Sequence, residues 1–196
     1  MGLFSNDEKT GPLSGHRIAI LATEGFEQAE LLEPQKALKA AGAHVEVIAP
    51  ASGTDGGTIR AWDETDWGKK VDVDTDLSDA NPANYDALIL PGGVMNPDKL
   101  RLLPEAVSFA KAFFTAGKPV GAICHAAWTL IEADVVRGRT LTSWPSLHTD
   151  LKNAGATWVD QEVVEDGNLV TSRKPADLPA FNQRLIDVIS HAKQPA

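Results

Sequence analysis

A chain of 196 residues, 43% of them hydrophobic and 23% charged, reads as one globular domain large enough for a sizeable core. Its 18 Lys and Arg against 27 Asp and Glu give a net charge of −9 without a basic stripe, which argues against a nucleic-acid partner. No stretch is long and apolar enough to span a bilayer, and a single cysteine excludes an internal disulfide.

Residues 1–15 read as a polar, flexible tail, and the domain is expected over 16–192. The opening Met1-Gly-Leu-Phe-Ser-Asn6 approaches a myristoylation motif, but Asn6 stands where Ser or Thr is required. The basic start and apolar run of a signal peptide are also missing. A cytoplasmic protein is the simplest expectation.

Strands and helices then alternate. Arg17–Ala22 is a short apolar strand, and 33–41 a helix with Pro34 suited to its first turn and Gly42 to its stop. His44–Ala49 is a second strand, and residues 50–76 read as turns and short hairpins. A third core strand, Ala87–Leu90, ends at Pro91-Gly92-Gly93, and Pro104–Ala116 is an amphipathic helix closed by Gly117. Val120–Ile123 reads as a buried strand and the run after Cys124 as a helix. Val159–Val164 and Asn168–Ser172 flank a turn and resemble a hairpin, and Asp177–His191 is a terminal helix. This alternation predicts an α/β fold, a mostly parallel sheet with helices on both faces. Sites of such sheets form beyond the carboxyl ends of the strands, where Thr23–Glu30, Pro91–Asp98 and Cys124-His125 fall.

Cys124 sits on the strand-to-helix corner, the position of an elbow nucleophile, with small Ala122 and Ala126 two residues before and after it. A helix N-terminus there is expected to lower the thiol pKa. A lone cysteine is otherwise most often a small buried hydrophobe. His125 is a general base or a polar first-turn residue, since neighbours on a turn need not face each other. Glu27 and Glu30 are carboxylates favoured near a helix start, and either could hydrogen-bond the thiol. The backbone after Leu90 is a glycine turn or a source of N–H donors for an oxyanion. Asp98 opens a helical run. No dinucleotide fingerprint, phosphate loop or metal-ligand spacing is present, so no cofactor is expected. The five tryptophans read as packing or interface residues.

Glu24-Gly-Phe-Glu27-Gln-Ala-Glu30-Leu, Asp86-Ala-Leu-Ile-Leu-Pro-Gly-Gly93, Ile123-Cys-His125, Thr142-Ser-Trp-Pro and Thr171-Ser-Arg-Lys-Pro-Ala-Asp-Leu178 together resemble the PfpI/ThiJ superfamily, in its branch of intracellular proteases and general stress proteins. The resemblance runs from about Arg17 to His191. It implies a flavodoxin-like three-layer sandwich related to class I glutamine amidotransferases, although the late His-x-Glu pair of a glutaminase is absent. It implies Cys124 as nucleophile, Glu27 hydrogen-bonded to the thiol, and the amides of Gly93 and His125 as an oxyanion hole. Asp98 matches the acid that pairs with the histidine across a subunit interface, which implies a homodimer or higher homo-oligomer. The activity implied is cysteine-dependent hydrolysis in the stress response. Its targets are small aldehydes such as methylglyoxal, their adducts on glycated proteins, or peptides. The alternative is a redox sensor or chaperone in which Cys124 is oxidised.

Overall fold

The computed structural model describes residues 11–192. Arg17–Leu21 (β1) leads to Gln28–Ala40 (α1), His44–Ala49 (β2) and a hairpin of Thr58–Asp63 (β3) and Asp66–Asp72 (β4), then Thr75–Asp76 (β5) and Ala87–Leu90 (β6). Next come Met95–Leu100 (α2), Pro104–Thr115 (α3), Val120–Ile123 (β7), Ala127–Glu132 (α4), Thr140–Leu141 (β8) and His148–Asn153 (α5). Thr157–Trp158 (β9), Val163–Asp166 (β10), Leu169–Ser172 (β11) and Leu178–His191 (α6) complete the chain.

Seven strands form one sheet in the order β10-β11-β7-β6-β1-β2-β5, parallel throughout except for the β10–β11 pair. In chain order, the parallel strands β1, β2, β6, β7 and β11 lie as 2-1-3-4-5, the flavodoxin-like doubly wound arrangement. The winding reverses between β1 and β6, and the crevice of such a fold opens there. Strands buried on both faces need continuous apolar runs, and every residue of β6 and β7 is buried. Alternate residues of β1 face opposite layers. Ile18 and Ile20 pack with Leu31 and Leu38 of α1 and with Phe181 and Leu185 of α6. Ala19 and Leu21 pack with Phe109 and Phe113 of α3 and with Leu130 of α4. The three-layer sandwich is therefore as expected. Among the described residues no helix is long and apolar enough to cross a membrane.

Three local expectations change. The helix expected over 33–41 begins at Gln28, so Pro34 lies in its interior. The first-turn preference of proline had set the start too late; Pro34 has no N–H to give the Glu30 carbonyl. The hairpin turns at Gly167-Asn168, and its first strand starts at Val163, because Thr157–Trp158 pairs with Thr140–Leu141 instead. The expected tail of residues 1–15 ends earlier as well. Leu13 is fully buried and donates its N–H to the Ala41 carbonyl at 2.9 Å, so the turn over residues 11–15 belongs to the packed domain. Residues 1–10 of that tail lie outside the described residues.

Gly121, three residues before the cysteine, makes room for α6: a Cβ there would stand 2.9 Å from Phe181 Cζ and 3.1 Å from Leu185 Cδ1. Gly121→Val is expected to destabilise the fold by about 1–3 kcal/mol through overpacking, read as a lower midpoint of urea denaturation.

Candidate active site

The strand β7 delivers Cys124 to its corner with φ of 61°, a left-handed conformation that an L side chain rarely adopts. Strain of this kind, about 1–3 kcal/mol, persists only where surrounding packing over-determines it. Here the Trp144 N–H binds the Cys124 carbonyl at 3.1 Å, and Gly92 closes in from the neighbouring strand end. A Cβ on Gly92 would lie 2.8 Å from Cys124 Cβ and 2.7 Å from the Ile123 carbonyl oxygen, so the position requires glycine. The turn that follows, Cys124–Ala126, is a single 3-10 turn leading into the six-residue α4.

The corner brings the two adjacent side chains face to face. Cys124 Sγ lies 3.1 Å from His125 Nδ1, with both residues buried. The imidazole stacks on Trp144 with ring centroids 5.9 Å apart and meets the edge of Trp128 at 5.1 Å. Two of the tryptophans read as packing residues thus hold the histidine ring. Burial lowers the His125 pKa, which keeps the ring neutral and its Nδ1 able to accept the thiol proton when Nε2 carries the hydrogen.

The carboxyl at the thiol is that of Glu30. The resemblance implied Glu27, but α1 starts at Gln28 and turns Glu30 inward in its first turn, leaving Glu27 as the N-cap. Glu30 is fully buried; its Oε2 accepts the Gly92 N–H at 2.9 Å and the carboxyl also interacts with the Cys124 thiol. Its Oε1 is buried and has no conventional hydrogen-bond partner. Burial raises the Glu30 pKa from 4.5 to about 8, with the Glu27 charge adding to the shift and the Gly92 amide opposing it. Glu27 is half-buried beside the cleft, its pKa raised by burial and then by the charges of Asp63 and Glu64.

The lowered thiol pKa expected from a helix end is not what the geometry produces. Burial pushes the Cys124 thiol up, the Glu30 charge pushes it further, and the amides of His125 and Gly93 pull it back only in part. A short 3-10 turn offers little dipole to offset burial. Below about pH 8 Glu30 holds its proton, and its charge then no longer opposes the thiolate. Glu30 and Cys124 are a coupled pair, each shifting the other's ionisation.

Gly93, at φ 77°, sends its N–H toward that pair; a Cβ there would stand 2.7 Å from Glu27 N and 2.8 Å from the Gly25 carbonyl oxygen. Asp98 is exposed on α2 and, among the described residues, makes no hydrogen bond or ion pair with His125. One further residue belongs to the site and gave no sequence signal: Asn96, buried, ties Thr23 to Pro91 and Gly92. A cleft of about 610 Å³ opens above the thiol, walled by Trp62, Trp144, Val94 and Met95, with Glu27 and Glu64 on one side and Lys174 on another loop. Among the described residues no three His, Cys, Asp or Glu side chains gather to hold a metal.

Because native Glu30 retains a proton that the unfolded chain releases, stability attributable to this group falls as pH rises from 4.5 to about 8. Glu30→Gln is expected to flatten that slope, so that wild type loses urea midpoint relative to the variant across the window. Parallel curves from pH 4.5 to 8 would contradict the shift.

Comparison with known proteins gives this geometry a family. The DJ-1/PfpI family matches residues 16–188. General stress protein 18 of Bacillus subtilis is 43% identical over 176 residues, covering 89% of this chain and 98% of its own. Protein/nucleic acid deglycase 2 of Escherichia coli is 43% identical over 178 residues, covering 88% of this chain and 97% of its own. Among solved structures, Drosophila melanogaster DJ-1beta superposes with a TM-score of 0.81 at 26% identity, over 92% of each chain. With the elbow, the sheet order and the matched span in agreement, the chain belongs to the DJ-1/PfpI family.

Proposed function

We propose that this chain is a stress-response hydrolase in which Cys124 attacks the carbonyl of small reactive aldehydes or of their adducts. The observation that carries the proposal is the contact of 3.1 Å between Sγ and a neutral, aromatic-clamped imidazole on a strained corner. Nucleophile and base are already within proton-transfer distance. The names of its relatives support the same reading: deglycase, general stress protein and putative cysteine protease all occur at about 40% identity.

Methylglyoxal is one such substrate. His125 Nδ1 takes the thiol proton and Sγ bonds to the aldehyde carbon. The carbonyl oxygen gains the electron pair, is received by the Gly93 and His125 N–H groups, and is then protonated to a hemithioacetal. The neutral imidazole of His125, the base at the thiol, moves hydrogen from the first carbon to the second through an enediol, leaving a lactoyl thioester. Water adds to the thioester carbon, the S–C bond breaks, and lactate leaves with the thiol restored. An adduct on a protein amine is a hemiaminal: its C–N bond breaks as the amine leaves with the thiol proton, Sγ bonds to the same carbon, and the path continues from the hemithioacetal. The relative from E. coli carries nucleic acid in its name as well. The net charge of −9 argues against binding a phosphate backbone, but a glycated base presented singly offers the same carbonyl chemistry.

The histidine's orienting acid comes from a second copy. Asp98 is exposed near the cleft-lining Val94 and Met95, and His125 Nε2 makes no hydrogen bond among the described residues. Both facts support a homodimer with Asp98 of one chain serving the other's site.

Cys124→Ala is expected to lower lactate formation from methylglyoxal by at least about a hundred-fold. Equal rates for wild type and variant would sink the mechanism, and adducts freed of excess aldehyde separate deglycation from aldehyde consumption. Asp98→Ala should lower kcat about tenfold or more without altering the fold. A mixture of inactive Cys124→Ala and Asp98→Ala chains should then regain activity, because mixed dimers hold one complete site. No recovery on mixing would place the acid elsewhere.

A further inference from the structure

Asn96 makes no hydrogen bond to Cys124, His125 or Glu30, yet its buried amide links the two loops that carry the site. Oδ1 accepts the Thr23 N–H at 2.8 Å, beyond the end of β1. Nδ2 donates to the Pro91 carbonyl at 2.8 Å and to the Gly92 carbonyl at 3.3 Å, beyond the end of β6. The Glu27 N–H donates to the same Gly92 oxygen, also at 3.3 Å.

A trans peptide is planar, and its C=O and N–H point in opposite directions. Whatever holds the Gly92 oxygen therefore aims the N–H of Gly93. That N–H is the one directed at the Cys124 and Glu30 pair. Glycine stands on both sides of this peptide because neither position has room for a Cβ. Two glycines also make the unit easy to rotate, since neither residue carries a side chain that restricts φ and ψ. A flipped peptide would present a carbonyl oxygen to the thiol and withdraw a donor. Sterics chose the glycines, so something other than sterics must fix the plane between them.

We propose that Asn96 is a positioning residue that locks the Gly92–Gly93 peptide with the Gly93 N–H facing the reacting centre. The inference rests on the cysteine chemistry proposed above and adds what keeps its oxyanion donor in place.

Asn96→Asp tests it: the shape and the Oδ1 bond to Thr23 remain, while both donors to the Pro91 and Gly92 carbonyls are lost. The first readout needs no substrate. The pH midpoint of Cys124 alkylation by iodoacetamide is expected to rise, because the thiolate loses one amide, and to rise also in the uncharged Asn96→Leu, which separates the lost donors from the charge of a new carboxyl. The second is turnover of methylglyoxal, with kcat expected to fall about 10²–10³-fold, as for loss of one oxyanion donor, and KM little changed. A residue that only supported the fold would lower the melting temperature and leave both readouts where they were. A folded Asn96→Asp protein with the wild-type alkylation midpoint overturns the proposal, whatever its turnover. A raised midpoint in the variant, beside a wild type that forms no lactate, supports the positioning role and removes the aldehyde reading alone. Should Asn96→Asp not fold, isotope-labelled wild type is titrated by NMR. The Gly93 amide resonance should then move with thiol ionisation and the Asn96 side-chain amide should exchange slowly with water. A Gly93 resonance indifferent to the thiol, or a freely exchanging Asn96 amide, overturns it equally.

Discussion

Glu30 is enclosed between the Gly92 N–H and the Cys124 thiol, and three strand ends must converge to keep it there. Its own residue follows β1, Gly92 follows β6, and Cys124 follows β7. A carboxyl removed from water and given the amides of Gly92 and Gly93 keeps its proton near neutrality, because ionising it in place would cost more than the amides return. After burial itself, that acid bears most on the thiol, since its charge opposes the thiolate when both ionise. The ionisation of the cysteine therefore depends on this acid as well as on the corner that buries it.

The doubly wound topology explains why these groups meet at all. Beside the reversal between β1 and β6 the neighbouring loops diverge to opposite faces, so the strand ends stay uncovered. The loop after β1 contributes Glu27 and Glu30, and the loop after β6 contributes Gly92 and Gly93. The next strand over supplies Cys124 and His125. Backbone makes much of this site: two glycines that exclude a Cβ, one cysteine at positive φ, and amides aimed by their peptide planes. Side chains then fix what backbone leaves loose, with one indole stacked on the imidazole, another against it edge-on, and Asn96 across the two loops.

How much of this was legible depended on whether the cause was local. β2, β6 and β7 matched the expected bounds because each is an apolar run bracketed by glycine, proline or a polar turn. The elbow was legible because a nucleophile between strand and helix needs small neighbours. The choice between Glu27 and Glu30 was not, since it depends on where α1 begins. Pro34 moved that start five residues too late and left both carboxylates in an undifferentiated loop. Whether Cys124 and His125 face each other is decided by one φ value, which no spacing encodes. Asn96 is further from view still: its partner Thr23 is 73 positions away, and an asparagine that binds only backbone resembles any other.

The carboxylates of Glu27 and Glu64 at the cleft bear on what happens after chemistry. Under the aldehyde chemistry proposed for this cleft, the neutral substrate would cross their field without gain or loss, but its hydroxy acid product would be an anion. Two carboxylates against the single ammonium of Lys174, within a chain of net charge −9, would raise the free energy of that bound product more than that of the substrate. Turnover would then be biased toward release, and accumulated carboxylate would compete poorly for re-entry. Residues that contribute nothing to bond making would then keep the thiol free for the next aldehyde.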